Sequence, residues 1–111
     1  MAKQTLKTSK AMRALERLNG GRLTFAQALT AIRKCDELSQ DECARRLRIS
    51  KSHLCDVEKG RKTVSPERAA KWAAVLGYAE AVFVQLAIQA ELDAAGLKYR
   101  VAIESAIVSS R

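Results

Sequence analysis

The stretch from Leu38 to Lys62, LSQDECARRLRISKSHLCDVEKGRK, constrains the fold more tightly than any other part of the chain. Ser39 and Glu42 stand at S-x-x-E spacing. At that spacing the hydroxyl takes an N–H of the first helical turn while the glutamate reaches back to the serine N–H. The helix begun there has Cys43, Ala44 and Leu47 along one side. Ile49 fills the turn that follows. Ser50 is a good N-cap for a second helix, whose buried positions are Leu54 and Val57. Gly60 stops it. Two short helices joined by a tight turn are therefore expected.

The second helix carries a distinctive outer face. Lys51, Ser52, Cys55, Asp56 and Lys59 fall at i, i+1, i+4, i+5 and i+8, one stripe opposite Leu54 and Val57. The stripe is short, polar and edged by lysines. Packing alone does not require such a face, whereas a helix lying in a DNA groove does.

At these residues the sequence resembles the phage-repressor and Cro (XRE-type) helix-turn-helix family. The resemblance runs from about Leu23 to Gly77. Its most specific parts are Leu38-Ser39-Gln40, Ala44, Ile49-Ser50, and Leu54-x-x-Val57-Glu58-x-Gly60. It implies an all-α fold, a compact lambda-repressor-like bundle of five helices that binds DNA, usually as a dimer. Arg33 is implied to pair with Glu58 and so clamp the first helix to the recognition helix. Gln40 is implied to straddle a phosphate and a recognition-helix side chain. Arg48 departs from the pattern, because the family usually has glycine in the turn. A non-glycine residue at positive φ costs on the order of 1 kcal/mol.

Charge is distributed as such a function needs. The chain carries a formal net charge of +8. Residues 1–22 hold six basic and one acidic residue, and residues 39–64 hold seven basic and four acidic; the remaining segments balance. The excess thus sits on the N-terminal arm and on the two-helix motif, the electrostatic footprint of a nucleic-acid binder.

Other features bound the class. At 111 residues the chain has room for one modest core. Its hydrophobic content of 48% with 5% aromatics suggests a helical core rich in Ala and Leu. There is no run of 18 apolar residues, and the basic N-terminus lacks the apolar stretch of a secretory signal, so no membrane contact and a cytoplasmic location are expected. Cys35, Cys43 and Cys55 are odd in number and fit neither a disulfide framework nor zinc spacing. With His53 as the single histidine, no metal site and no cofactor are expected. No nucleophile–base pair or phosphate loop is visible, so no catalytic residue is assigned and an enzyme is not expected.

Taken in order, three parts emerge: a basic arm (1–22), a DNA-binding domain (23–96) and a C-terminal extension (97–111). Residues 9–19 can form a helix with Met12, Leu15 and Leu18 on one side, ended by Gly20-Gly21. That segment either reaches phosphate and the minor groove or packs on the core or a partner subunit. Thr24 and Gln27 make another capping box, followed by a helix burying Phe25, Leu29 and Ile32. Ser65-Pro66 opens a fourth helix, in which Trp72 reads as core or dimer contact rather than a base-stacking platform. A fifth helix over 79–95, with Val82, Phe83, Leu86, Ala87 and Ala90 at helical spacing, ends at Gly96. Beyond it Leu97, Tyr99, Val101 and Ile103 alternate with mainly polar residues, a short β-strand pattern. A lone strand needs a partner, either the same strand of a second subunit or an edge of another protein.

Within the motif, Lys51 and Ser52 are the leading base-reading candidates, since lysine donates to guanine and serine serves several bases. Cys55 either touches a thymine methyl or fills space on the groove face. Asp56 either accepts from cytosine N4 or pairs with Arg61 or Lys59. Ser39, Gln40, Lys59, Arg61 and Lys62 are assigned to phosphate positioning, and His53 to packing. The expected function is a homodimeric repressor bound to a double-stranded operator. Small members with a C-terminal extension suggest a finer role, the antitoxin of a toxin–antitoxin module that represses its own operon and contacts a cognate toxin. The rivals are a stand-alone phage- or plasmid-type repressor and a protein-interaction module that has lost DNA binding.

Overall fold

The structure, a computed structural model, describes residues 23–104. The expected helix over 9–19, the rest of the basic arm and the end of the chain lie outside the described residues. Five helices follow one another: α1 (Phe25–Cys35), α2 (Gln40–Leu47), α3 (Lys51–Glu58), α4 (Pro66–Leu76) and α5 (Glu80–Ala94).

Local chemistry sets most of their ends. Thr24 caps α1 as a capping box: its Oγ1 accepts from the Gln27 N–H and its own N–H donates to Gln27 Oε1, both at 3.1 Å. Ser39 and Glu42 repeat the device at α2, again with both bonds at 3.1 Å. Ser50 accepts from the His53 N–H to begin α3, and Ser65 from the Arg68 N–H to begin α4, where Pro66 fits the first helical position. Gly77 ends α4 in the left-handed region at φ 78°, which glycine adopts without a Cβ clash. α5 starts at Ala79 without a side-chain cap. Its stability comes from packing on α4, the most extensive helix pair among the described residues.

The core collects one stripe from each helix. Phe25, Ala28, Leu29 and Ile32 come from α1, Cys43, Ala44 and Leu47 from α2, and Leu54 and Val57 from α3. Ala69, Trp72 and Ala73 of α4 meet Phe83 and Ala87 of α5. Ile49, Leu76, Val82, Leu86 and Ala90 pack against this core from its edge. Four of the five aromatic residues touch in a chain, with Phe25 edge-on to Phe83 at 5.7 Å and tilted against Trp72 at 6.3 Å, and Tyr78 beside Phe83 at 6.4 Å. Trp72 is thus a core residue, 3% exposed. His53 stacks edge-on to it at 6.3 Å, a half-buried packing residue.

The expected C-terminal strand is corrected. Among the described residues there is no strand: 97–104, with Leu97, Tyr99, Val101 and Ile103, run as a tail without helix, turn or bend. The alternating pattern is present, but a ladder needs a second strand and the single chain offers none. Two of the tail's backbone groups bond instead to Gln89 of α5.

Candidate nucleic-acid interface

The turn between α2 and α3 orients the whole site. Arg48 adopts φ 61° and ψ 44°, the left-handed conformation that the missing glycine would have taken at lower cost. The Ile49 N–H then donates across the turn to the Ala44 carbonyl at 3.0 Å, beside the Arg48 N–H that reaches the Ala44 and Arg45 carbonyls, so the last carbonyls of α2 are satisfied within the turn. Ser50 follows directly as the cap of α3. Glu37, between α1 and α2, is a second non-glycine residue at positive φ, 57°, and nothing in its sequence context announced it.

With Leu54 and Val57 wholly buried, the opposite side of α3 faces solvent. Lys51 and Ser52 are exposed there, and Cys55 and Asp56 are half-buried. The structure therefore brings the four candidate base-reading residues onto one helix face. Lys59 and, beyond Gly60, Arg61 and Lys62 are exposed at its C-terminal edge.

Behind this face sits a polar clamp. Arg33 Nε donates to Glu58 Oε2 at 2.7 Å, and Arg33 Nη2 to Glu58 Oε1 at 3.1 Å. Arg33 Nη1 donates to the Leu38 carbonyl at 2.9 Å, and Gln40 Nε2 to Glu58 Oε1 at 3.0 Å. One carboxylate at the end of α3 thus holds α1 and α2, and one guanidinium holds the α1–α2 turn. Their side chains are only 12% and 5% exposed, so the pair is fork-to-fork and shielded. The hydrogen bond to Glu58 raises the Arg33 pKa above its ordinary value against the opposing effect of burial. Gln40 spends one amide hydrogen on Glu58 and keeps a second donor. The bond to the Leu38 carbonyl is a tertiary contact without a sequence signal of its own, whereas the resemblance implied a recognition-helix partner for Gln40 without naming Glu58.

Several cations have nearby carboxylates. Arg61 and Lys62 lie 3.7 and 3.8 Å from Asp56, and Lys51 lies 3.8 Å from Asp41. For Asp56 the ionic partners are Arg61 and Lys62, not Lys59, because the loop after Gly60 folds back and donates the Arg61 N–H to the Asp56 carbonyl at 2.8 Å. Such exposed contacts contribute ~0–1 kcal/mol and are easily exchanged for phosphate. At the start of α2 the Ser39 hydroxyl is engaged in its cap, and Asp41 and Glu42 occupy the first turn. The backbone hydrogen bond from Ser39 lowers the Glu42 pKa, so carboxylates already complement this helix N-terminus.

The cysteines are all free: Cys35 is exposed, Cys55 half-buried and Cys43 buried. Burial pushes the Cys43 thiol up, which keeps it a neutral core filler. Among the described residues no three His, Cys, Asp or Glu side chains cluster as metal ligands, and no helix is long and apolar enough to cross a membrane.

Comparison with known proteins agrees with this geometry. A family model described as helix-turn-helix matches residues 30–83, just under half of the chain, from within α1 to the start of α5. The matching segment is similar to the XRE-type helix-turn-helix family of phage repressors and Cro, and the match supports a sequence-specific DNA-binding regulator. No curated protein and no solved structure gives a match.

Proposed function

We propose that the protein is a repressor-type transcriptional regulator that binds its operator as a homodimer in the cytoplasm. Two copies of α3 enter successive major grooves about 34 Å apart on a pseudo-palindromic site. Lys51, Ser52, Cys55 and Asp56 face base edges. Ser39, Gln40, Lys59, Arg61 and Lys62 hold the backbone, with Ser39 the weakest of these because its hydroxyl already caps α2. The carrying observation is the exposed polar face of α3, fixed from behind by Arg33 and Glu58. In this reading 1–22 is a basic arm, 23–96 the DNA-binding domain and 97–111 the segment for dimer or partner contact.

The finer role is that of an antitoxin that represses its own operon. It rests on the C-terminal extension, where Leu97 and Tyr99 are 46% and 68% exposed and available to a toxin. An electrophoretic shift titrated with salt tests the regulator reading. Specific retardation that weakens steeply with salt is expected, and absence of binding at about 50 mM salt, where phosphate contacts are strong, rejects it. Co-expression with the adjacent open reading frame tests the antitoxin role: the expected result is a stable complex and rescue of growth.

A further inference from the structure

Residues 97–104 leave α5 after Gly96 and pass back beside it, held by one side chain. Gln89 Nε2 donates to the Tyr99 carbonyl at 2.7 Å, and Gln89 Oε1 accepts the Val101 N–H at 2.8 Å. A carboxamide bonded to the C=O of one residue and the N–H of the second residue on imitates the peptide of a neighbouring strand. Gln89 Nε2 also donates to Asp93 Oδ1 at 3.0 Å, which orients the amide. α5 therefore occupies one edge of the tail. In extended backbone the N–H and C=O groups of successive residues alternate between edges. Those of Lys98, Arg100 and Ala102 belong to the opposite edge, and among the described residues they make no intramolecular hydrogen bond. All three residues are exposed, and an open edge of this kind is a template for another chain.

We propose that this edge pairs antiparallel with the same edge of a second copy, in a register centred on Val101. The proposal rests on the homodimer reading above and adds its surface and register. About Val101 the sequence is self-complementary: Lys98 meets Glu104 twice, Tyr99 meets Ile103 twice, Arg100 meets Ala102 and Val101 meets itself. Opposite charges and aromatic–β-branched neighbours are favourable cross-strand pairs. Registers that pair odd with even residues need the backbone groups already bonded to Gln89. Centring on Arg100 sets two arginines against each other. Centring on Ala102 also gives two charge pairs, Arg100 with Glu104, but leaves Tyr99 without an apolar partner. A bare two-stranded ribbon is marginal in water, and α5 supplies the support, with Val101 and Ile103 half-buried.

The test uses the full chain with Cys35→Ser and Cys55→Ser, leaving the buried Cys43. In a non-hydrogen-bonded antiparallel pair the Cα atoms lie about 4.5 Å apart, within disulfide range. Val101→Cys is expected to give a covalent dimer under mild oxidation, and Tyr99→Cys and Ile103→Cys only when combined in one chain. Lys98→Glu is expected to weaken dimerisation about tenfold in sedimentation, from two charge pairs reversed. Lys98→Glu with Glu104→Lys restores it. A dimeric protein in which Val101→Cys fails to crosslink, Ala102→Cys crosslinks faster, or Lys98→Glu changes nothing overturns this register and leaves the homodimeric regulator standing. A protein that is monomeric both free and on its operator overturns both.

Discussion

Glu58, the last residue of α3, receives both arms of the Arg33 guanidinium at 2.7 and 3.1 Å, although 25 residues separate them in sequence. The recognition helix is therefore set by an ion pair that includes none of the four candidate base-reading residues, although Glu58 also accepts from Gln40 at 3.0 Å. Affinity for DNA should depend on it indirectly, through the angle at which α3 is held.

Breaking this pair should be costly. Glu58→Ala leaves the guanidinium without its partner and should lower stability by about 3–5 kcal/mol, as for other shielded pairs cut on one side. Arg33→Met with Glu58→Leu should cost much less than the two single changes combined, since neither charge is then stranded. Urea unfolding of the four proteins gives the coupling, and additive losses would contradict the clamp.

Arg48 sits in the left-handed region without glycine's freedom. Arg48→Gly should stabilise the protein by up to about 1 kcal/mol, the relief of strain being partly offset by the more flexible unfolded chain. The midpoint of thermal unfolding should rise by about 2–6 °C. A β-branched residue at the same position should lower it.

Base readers and phosphate anchors should separate in binding assays. Lys51→Ala should relax preference at one operator position, while Arg61→Ala should weaken all sequences alike and reduce the salt slope by about 0.9. Competition over an operator library checks both. Uniform loss for Lys51→Ala would remove its base-reading role.

The cysteines offer a footprint of the same face. A thiol reagent should label Cys35 and Cys55 in the folded protein and spare Cys43, which is fully buried and whose thiol burial holds protonated. Operator DNA should protect Cys55 and leave Cys35 reactive. Equal labelling of Cys55 with and without DNA would take α3 out of the groove.

The cap of α2 should be pH-dependent. The Ser39 backbone bond holds Glu42 below its ordinary pKa, so its stabilising contribution is complete above the unfolded value of about 4.3 and fades as the pH falls through the lowered one. The stability gap between wild type and Glu42→Gln should therefore be constant near neutrality and close in acid. Chemical unfolding at several pH values measures it.

The helices and the site were written locally to different degrees. Thr24–Gln27, Ser39–Glu42, Ser50 and Ser65-Pro66 fix four helix starts by short-range hydrogen bonds, so those starts were readable without a fold. The apolar spacing gave the buried sides of α1, α2 and α3 for the same reason, because a helix repeats every 3.6 residues wherever it is. The solvent face of α3 followed by elimination from Leu54 and Val57.

Long-range satisfaction of polar groups was decided by the tertiary structure. That Gln40 gives its amide to Glu58, that Arg61 and Lys62 both turn back to Asp56, and that Gln89 stands in for a strand beside Tyr99 and Val101 depend on which backbones meet in space. The alternation over 97–104 recorded a capacity for strand pairing. Whether it becomes a strand depends on an edge to pair with, and a single chain supplies only the carboxamide of Gln89.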